Sequence, residues 1–156
     1  MKTKTRSRSS VVWLLIVLQF LLGLGALAGG GSFILAPDGH LLQMPISVLK
    51  NTPFPNFLIP GLLLFTFVGI FPIAVAYSLW KQPAWHWPDL LNPFKQFHWS
   101  WAASLAAGVA VAIWIIVQIQ WIPVGFLHIL YLVWGVVLAL LTLHPAVRQY
   151  CRRSPR

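Results

Sequence analysis

Five histidines are the side chains of this sequence best suited to metal or redox chemistry, because a neutral imidazole ligates zinc or haem iron. In the arrangement of spans derived below, His40 and His128 fall on one side of a membrane and His86, His98 and His144 on the other. No two of the five have the spacing of ligands on one helix face. His86, His98 and His144 are the candidate ligands for a metal or haem site because they fall on the same side. Since their spacing does not support such a site, neither a metal nor a cofactor is predicted.

Other reactive motifs are missing from the sequence. It contains no nucleophile elbow, no HExxH, no P-loop and no dinucleotide glycine pattern. The single cysteine, Cys151, excludes an intrachain disulfide and a Cys-x-x-Cys motif. Its neighbours Arg152 and Arg153 would acidify the thiol and suit acylation, although an inert thiol is the simpler interpretation. We expect a protein without enzymatic activity.

The composition places these residues in a membrane protein. Of 156 residues, 58% are apolar and only 8% are charged, whereas about 25% of the residues in an average soluble domain are charged. Each span needs about 20 mostly apolar residues, so four spans nearly fill the chain. We predict an all-α membrane protein, a four-transmembrane-helix bundle forming one domain, with spans at 11–29, 57–80, 99–122 and 125–143.

The basic residues indicate the orientation of this bundle. Ten of the eleven lysines and arginines lie in three segments: the N-terminal tail 1–10, the loop between the second and third spans, and the C-terminal tail 144–156. The exception is Lys50. Because cytoplasmic segments carry the excess of basic residues, both termini are predicted to be cytoplasmic (N-in/C-in), with a long outer loop between helices 1 and 2. The basic tails should contact anionic lipid head groups, and nucleic-acid binding is not expected.

The N-terminal segment has a second interpretation as a cleavable signal peptide, because a basic stretch leads into an apolar run ending in Ala26-Leu27-Ala28. The apolar run is longer than the 7 to 15 residues of such signals. Cleavage would leave three spans with the C-terminus still inside.

Polar side chains within the spans are few. None of them is Asp, Glu, Lys or Arg, which argues against a proton-coupled exporter with a carboxylate in the membrane. Gln19, Thr66 and Gln118 are the intramembrane candidates for a polar site. By depth, Gln19 could meet Thr66 or the indole of Trp134, either as a hydrogen bond that joins helices or as part of a small polar ligand site.

Small residues at helical spacing predict where helices approach each other, since interfaces in lipid depend on close packing. The bundle is expected to use them internally, with a homodimer or docking face as the alternative. The residues are Gly25, Gly29, Ser104, Gly108, Ala112, Gly135 and Ala139.

Prolines shape the second span and the segment before it. Pro72 lies inside the second span and should bend it. The outer segment holds turn residues that argue against one continuous helix, and its candidate functional residues are Asp38, Gly39, Pro45, Pro53, Pro60 and Gly61. Aromatic residues of the inner loop, among them Trp85 and Trp87, are typical of an interfacial belt.

The outer segment also carries a family resemblance. Pro37-Asp38-Gly39, Met44-Pro45, Thr52-Pro53-Phe54 and Phe57-Leu58-Ile59-Pro60-Gly61, with the later Gln118, Gly125 and Gly135, resemble a pattern in small, uncharacterised bacterial four-helix membrane proteins. The resemblance implies an intact first helix and the bacterial plasma (inner) membrane. It implies no activity and no catalytic residue.

Three functions remain open at this stage. The first is a structural or accessory component of a membrane assembly, working through the outer segment with a membrane-protein partner or a second copy. The second is a small transporter or channel component acting as an oligomer, with Gln19, Thr66 and the bend at Pro72 as its pathway. The third is a membrane redox or metal protein that uses the histidines.

Overall fold

A computed structural model describes residues 8–153. Over these residues it confirms the predicted all-helical fold, with four helices long and apolar enough to span a membrane. The helices are α1 (Ser10–Leu35), α2 (Leu58–Leu63), α3 (Phe71–Lys81), α4 (His86–Leu90), α5 (Trp99–Gln118), α6 (Phe126–Leu143) and α7 (Pro145–Cys151). A π-helical turn, Leu64–Ile70, joins α2 to α3 into one spanning helix. Four of the basic residues used to predict the orientation lie outside the described range: Lys2, Lys4, Arg6 and Arg156.

Two helical hairpins make up the bundle. The spanning helix from α2 to α3 packs along α1, and α6 packs along α5. The hairpins meet where α3 contacts α5 and where α1 contacts α6. Leu15, Leu22, Leu79 and Leu138 lie fully buried in the core. The outward faces of the four spans are mostly apolar, as contact with hydrocarbon requires.

Two helix ends differ from the predicted bounds. Helix α1 continues to Leu35 instead of ending at residue 29, because the glycines are followed by more apolar residues and the ladder persists until Ala36 donates to the Ser32 carbonyl at 2.9 Å. Helix α5 ends at Gln118 instead of residue 122. Pro123 disfavours helical backbone at the residue before it, so residues 119–125 form a connection rather than the near-direct junction expected at Pro123.

Pro72 changes the form of the second span. It has no N–H to donate to the Val68 carbonyl one turn earlier. The chain winds wider just before it, as the π-helical turn, in which the Phe71 N–H bonds to the Thr66 carbonyl. Pro72 is the second residue of α3, and the wide turn before it accommodates the proline within one continuous spanning helix. The predicted bend thus takes the form of a wide turn. Such turns are rare and frequently occur at functional sites.

Candidate functional site

A chain of buried hydrogen bonds joins three helices near the end of the bundle at which α5 begins and α6 ends. Gln19 on α1 is completely buried and donates from Nε2 to Ser104 Oγ on α5 at 3.0 Å. Ser104 Oγ lies 2.8 Å from Thr142 Oγ1 on α6, and Thr142 donates to the Leu138 carbonyl at 2.7 Å. These four groups link α1, α5 and α6.

The direction of this chain is fixed by its last member. Thr142 has one hydroxyl proton, which is directed to the Leu138 carbonyl. Ser104 must therefore donate its proton to Thr142, and the Gln19 atom beside Ser104 must be the amide nitrogen. Gln19 Oε1 is consequently left as a buried acceptor, and no hydrogen-bond partner lies near it among the described residues.

The other predicted intramembrane residues lie elsewhere. Thr66 is exposed on the outward side of the π-helical turn, so it does not meet Gln19. The indole of Trp134 donates to the Leu18 carbonyl at 3.3 Å instead of to the Gln19 side chain. Gln118 is half-buried at the end of α5. Gln19 and Thr66, the two polar residues of the predicted transport pathway, are therefore not adjacent in the structure.

Helix α1 approaches the second span through Gly23 and Gly30 rather than through Gly25 and Gly29. A Cβ on Gly30 would lie 2.7 Å from Phe65 N and 2.8 Å from Gly61 O, which are backbone atoms that cannot move aside. Gly25 is exposed, and a Cβ on Gly29 would make only an ordinary contact at 3.6 Å. The two glycines of α1 that face the second span are thus seven residues apart, and Leu27 packs against Gly69 between them.

Helices α5 and α6 approach each other most closely at Gly108 and Gly135. A Cβ on Gly108 would lie 2.8 Å from both Gly135 O and Ala139 N, and a Cβ on Gly135 would lie 3.1 Å from Ala112 N. Small residues at these positions let the two backbones touch directly. This contact also brings Ser104, one turn before Gly108, within reach of Thr142.

The segment 36–57 folds into a compact cap at the end of α1. Gly39 has φ 82°, a left-handed conformation that favours glycine, and its carbonyl accepts from the Met44 N–H at 3.0 Å. The Phe57 N–H closes the cap by donating to the Pro37 carbonyl at 2.8 Å, and the Phe57 ring stacks on Phe33 at 4.6 Å.

The remaining residues of the cap are arranged around this frame. The Asp38 carboxylate contacts the His40 ring nitrogen Nδ1 at 2.6 Å, and this hydrogen bond lowers the pKa of Asp38. Pro45 precedes a 3₁₀ turn, Ile46–Leu49, and Pro53 follows it. Pro60 occupies the first turn of α2, where Gly61 packs against Gly30.

At the opposite end, three segments distant in sequence are tied together. Arg8 donates to the Trp80 carbonyl at 2.7 Å and to the Tyr150 hydroxyl at 3.2 Å. Tyr150 donates in turn to the Leu79 carbonyl at 2.9 Å. The residues before α1, the end of α3 and helix α7 thus share one contact. Part of the segment predicted as a C-terminal tail is therefore a docked helix.

The loop between α3 and α5 is attached to the same assembly. The His98 N–H donates to the Cys151 carbonyl at 2.8 Å, and the Arg153 N–H to the Gln96 carbonyl at 2.9 Å. Arg153 also holds Asp89 with two hydrogen bonds of 2.5 and 3.0 Å, and this guanidinium lowers the pKa of the carboxyl. Cys151 is buried, which withholds its thiol from the acylation considered above.

The candidate histidine ligands serve as helix caps in this region. Nδ1 of His98 accepts from the Ser100 N–H at 3.2 Å, which leaves Nε2 to donate to the Pro83 carbonyl at 3.1 Å. Burial lowers the pKa of His98 and favours this neutral form. His144 caps α7 by accepting from the Ala146 N–H, and His86 is exposed at the start of α4. Within residues 8–153 no three His, Cys, Asp or Glu side chains gather as metal ligands.

No protein-family model, curated protein or solved structure matches the chain. The sites described above therefore rest on their own geometry.

Proposed function

We propose that the chain is a non-enzymatic, four-span protein of the bacterial inner membrane, related to the small uncharacterised family that it resembles, and that it acts as an accessory component of a membrane assembly. Both termini are cytoplasmic. The distribution of charge supports this orientation. Arg8, Lys81, Lys95, Arg148 and Arg153 belong to segments that contact one another at one end of the bundle, whereas Lys50 lies in the cap.

The observation that carries the accessory role is the ordered cap with apolar side chains on its surface. Leu41, Leu42 and Ile46 are 52, 41 and 47% exposed, although the backbone that carries them is fixed by the bonds at Gly39 and Phe57 described above. An exposed apolar group on a rigid frame suits docking, because little conformational entropy is lost on binding. The cap therefore serves as the docking surface for a membrane-protein partner.

Site-specific photo-crosslinking in cells tests this role. A photoreactive amino acid at position 41 or 46 should give a crosslinked protein of defined mass, and the control at Leu140, an exposed side chain of α6, should give lipid adducts only. The cap has no docking role if positions 41 and 46 also yield lipid adducts alone.

Cysteine labelling tests the orientation on which this role depends. In a Cys151→Ser background, Lys50→Cys should react with a membrane-impermeant maleimide on cells with a permeabilised outer membrane. Lys95→Cys should react only after the inner membrane is opened. The reverse pattern would refute the proposed topology.

A further inference from the structure

A large apolar groove lies between α3 and α5 beneath the loop that joins them. Its volume is about 610 Å³, within the roughly 300–1,000 Å³ of small-molecule sites. Ala74 and Val75 form one wall, Ala103 and Ala106 the other, and Trp85 and Trp87 lie in its roof. The small alanine side chains leave open the space that larger side chains would fill. We call this cavity the α3/α5 groove.

The walls of the groove favour hydrocarbon. Asn92, a polar residue of the lining, is buried, and its amide is engaged by the Phe94 and Phe97 carbonyls and the Phe94 N–H. The indole N–H of Trp99, another lining residue, is taken by the Pro83 carbonyl at 3.2 Å. These polar groups thus have partners already, and an apolar occupant would leave none of them unsatisfied.

The length of the groove matches one leaflet. Its lining runs along α5 from Trp99 to Val109, a distance of about 15 Å at the helical rise per residue. One leaflet contributes about half of the roughly 30 Å of hydrocarbon in a bilayer. Ala106 and Val109 are exposed at the deep end, so the groove opens to the surrounding lipid.

Charge at the shallow end selects the kind of lipid. Lys95 is exposed and directs its ammonium to the Asp89 and Leu90 carbonyls at 2.8 and 3.5 Å, beside the roof of the groove. An ammonium has three N–H donors, so one remains for a phosphate oxygen. Asp89, the carboxylate of this loop, is paired with Arg153. Trp87 and Leu90 are 73 and 78% exposed, which is typical of side chains that enter the headgroup region.

We propose that the α3/α5 groove binds one acyl chain of an anionic phospholipid of the bilayer, with the lipid phosphate beside Lys95. The assignment to the inner leaflet rests on the proposed topology. Occupancy of the groove by an acyl chain is independent of the proposed topology and of the proposed docking role of the cap.

Native mass spectrometry of the purified, detergent-solubilised chain tests the proposal with phosphatidylglycerol and phosphatidylcholine of identical acyl chains. The first phosphatidylglycerol should bind more tightly than later ones. Ala106→Phe fills the groove and should weaken this first step at least tenfold. Ala110→Phe, one turn further along α5 and exposed outside the groove, should leave it within twofold. Ala106→Leu fills less space, retains the fold more readily and should weaken binding to a smaller extent.

The headgroup contact has its own pair of variants. Lys95→Gln should reduce the preference for phosphatidylglycerol over phosphatidylcholine about fivefold, since one basic residue near a lipid surface is worth about 1 kcal/mol. Lys50→Gln should leave the preference unchanged. Equal effects of the Ala106 and Ala110 variants, or equivalent binding of all lipids, would overturn the acyl-chain site. Equal effects of the two lysine variants would overturn the headgroup contact.

Discussion

Replacing Ser104 by alanine should destabilise the bundle more than the loss of one hydroxyl suggests. The Ser104 hydroxyl is the link through which Gln19 reaches α6. Without it, Thr142 keeps its own bond to the Leu138 carbonyl, but the Gln19 amide keeps only the 3.5 Å contact with the Ser104 carbonyl. Because Gln19 Oε1 already lacks a partner in the described structure, almost the whole amide would be unsatisfied.

The magnitude follows from two contributions. Two interhelical hydrogen bonds of about 0.6 kcal/mol each are lost, and a buried polar group without a partner costs roughly 1–3 kcal/mol. We therefore expect Ser104→Ala to lower the free energy of unfolding by about 2–4 kcal/mol. The additional change Gln19→Leu should recover more than half of this, since removing both partners in favour of apolar groups is nearly neutral.

Reversible unfolding in mixed micelles, with increasing SDS and tryptophan fluorescence as the signal, measures these differences. Thr66→Val is the matched control, because it removes a hydroxyl from the exposed side of a spanning helix and should change stability by less than about 0.5 kcal/mol.

Two results would refute the reasoning. The first is a Ser104→Ala variant as stable as the Thr66→Val control, which would mean that the hydroxyl carries no energy. The second is a double variant no more stable than Ser104→Ala alone, which would mean that Gln19 and Ser104 are not coupled.

Two further predictions concern the α1 interface and the buried histidine. Gly30→Ala should cost about 1–3 kcal/mol of unfolding free energy because its Cβ would meet the backbone of Phe65 and Gly61, whereas Gly29→Ala, one residue away, should be tolerated; equal costs in the same SDS assay would contradict the placement of the interface. The free energy of unfolding should fall as the pH drops below about 6.5, because the imidazole of the unfolded chain takes up a proton that burial keeps off His98 in the folded state. His98→Asn keeps a capping acceptor for Ser100 and should make the free energy of unfolding less dependent on pH. Identical pH slopes would show that His98 does not contribute.

The spans could be predicted from sequence because length and apolarity alone decide whether a segment can cross a bilayer. The rotation of each helix about its own axis could not be predicted, since a helix that is apolar on all sides carries no periodic signal. Depth predicted that Gln19 would meet Thr66 or Trp134, but depth leaves the rotation about the helix axis open, and the structure turns Gln19 towards Ser104. For the same reason, the spacing of Gly25 and Gly29 did not identify the interface at Gly23 and Gly30.

Helix α7 was not expected because a short basic segment resembles a solvated tail. The signal that could have indicated its docking is the apolar trio Val147, Tyr150 and Cys151, which share one helix face and are all buried.

The contact between Arg8 and Tyr150 determines when the bundle can finish folding during synthesis. The two residues are 142 positions apart, and Tyr150 follows all four spanning helices. Because a chain emerges from the ribosome with its N-terminal residues first, α1 is made long before Ser104, which binds Gln19, and before α7, which binds Arg8. The end of the bundle that holds Arg8 and Tyr150 therefore closes last, and nascent chains arrested before residue 150 should contain an inserted α1 that lacks the Arg8–Tyr150 contact.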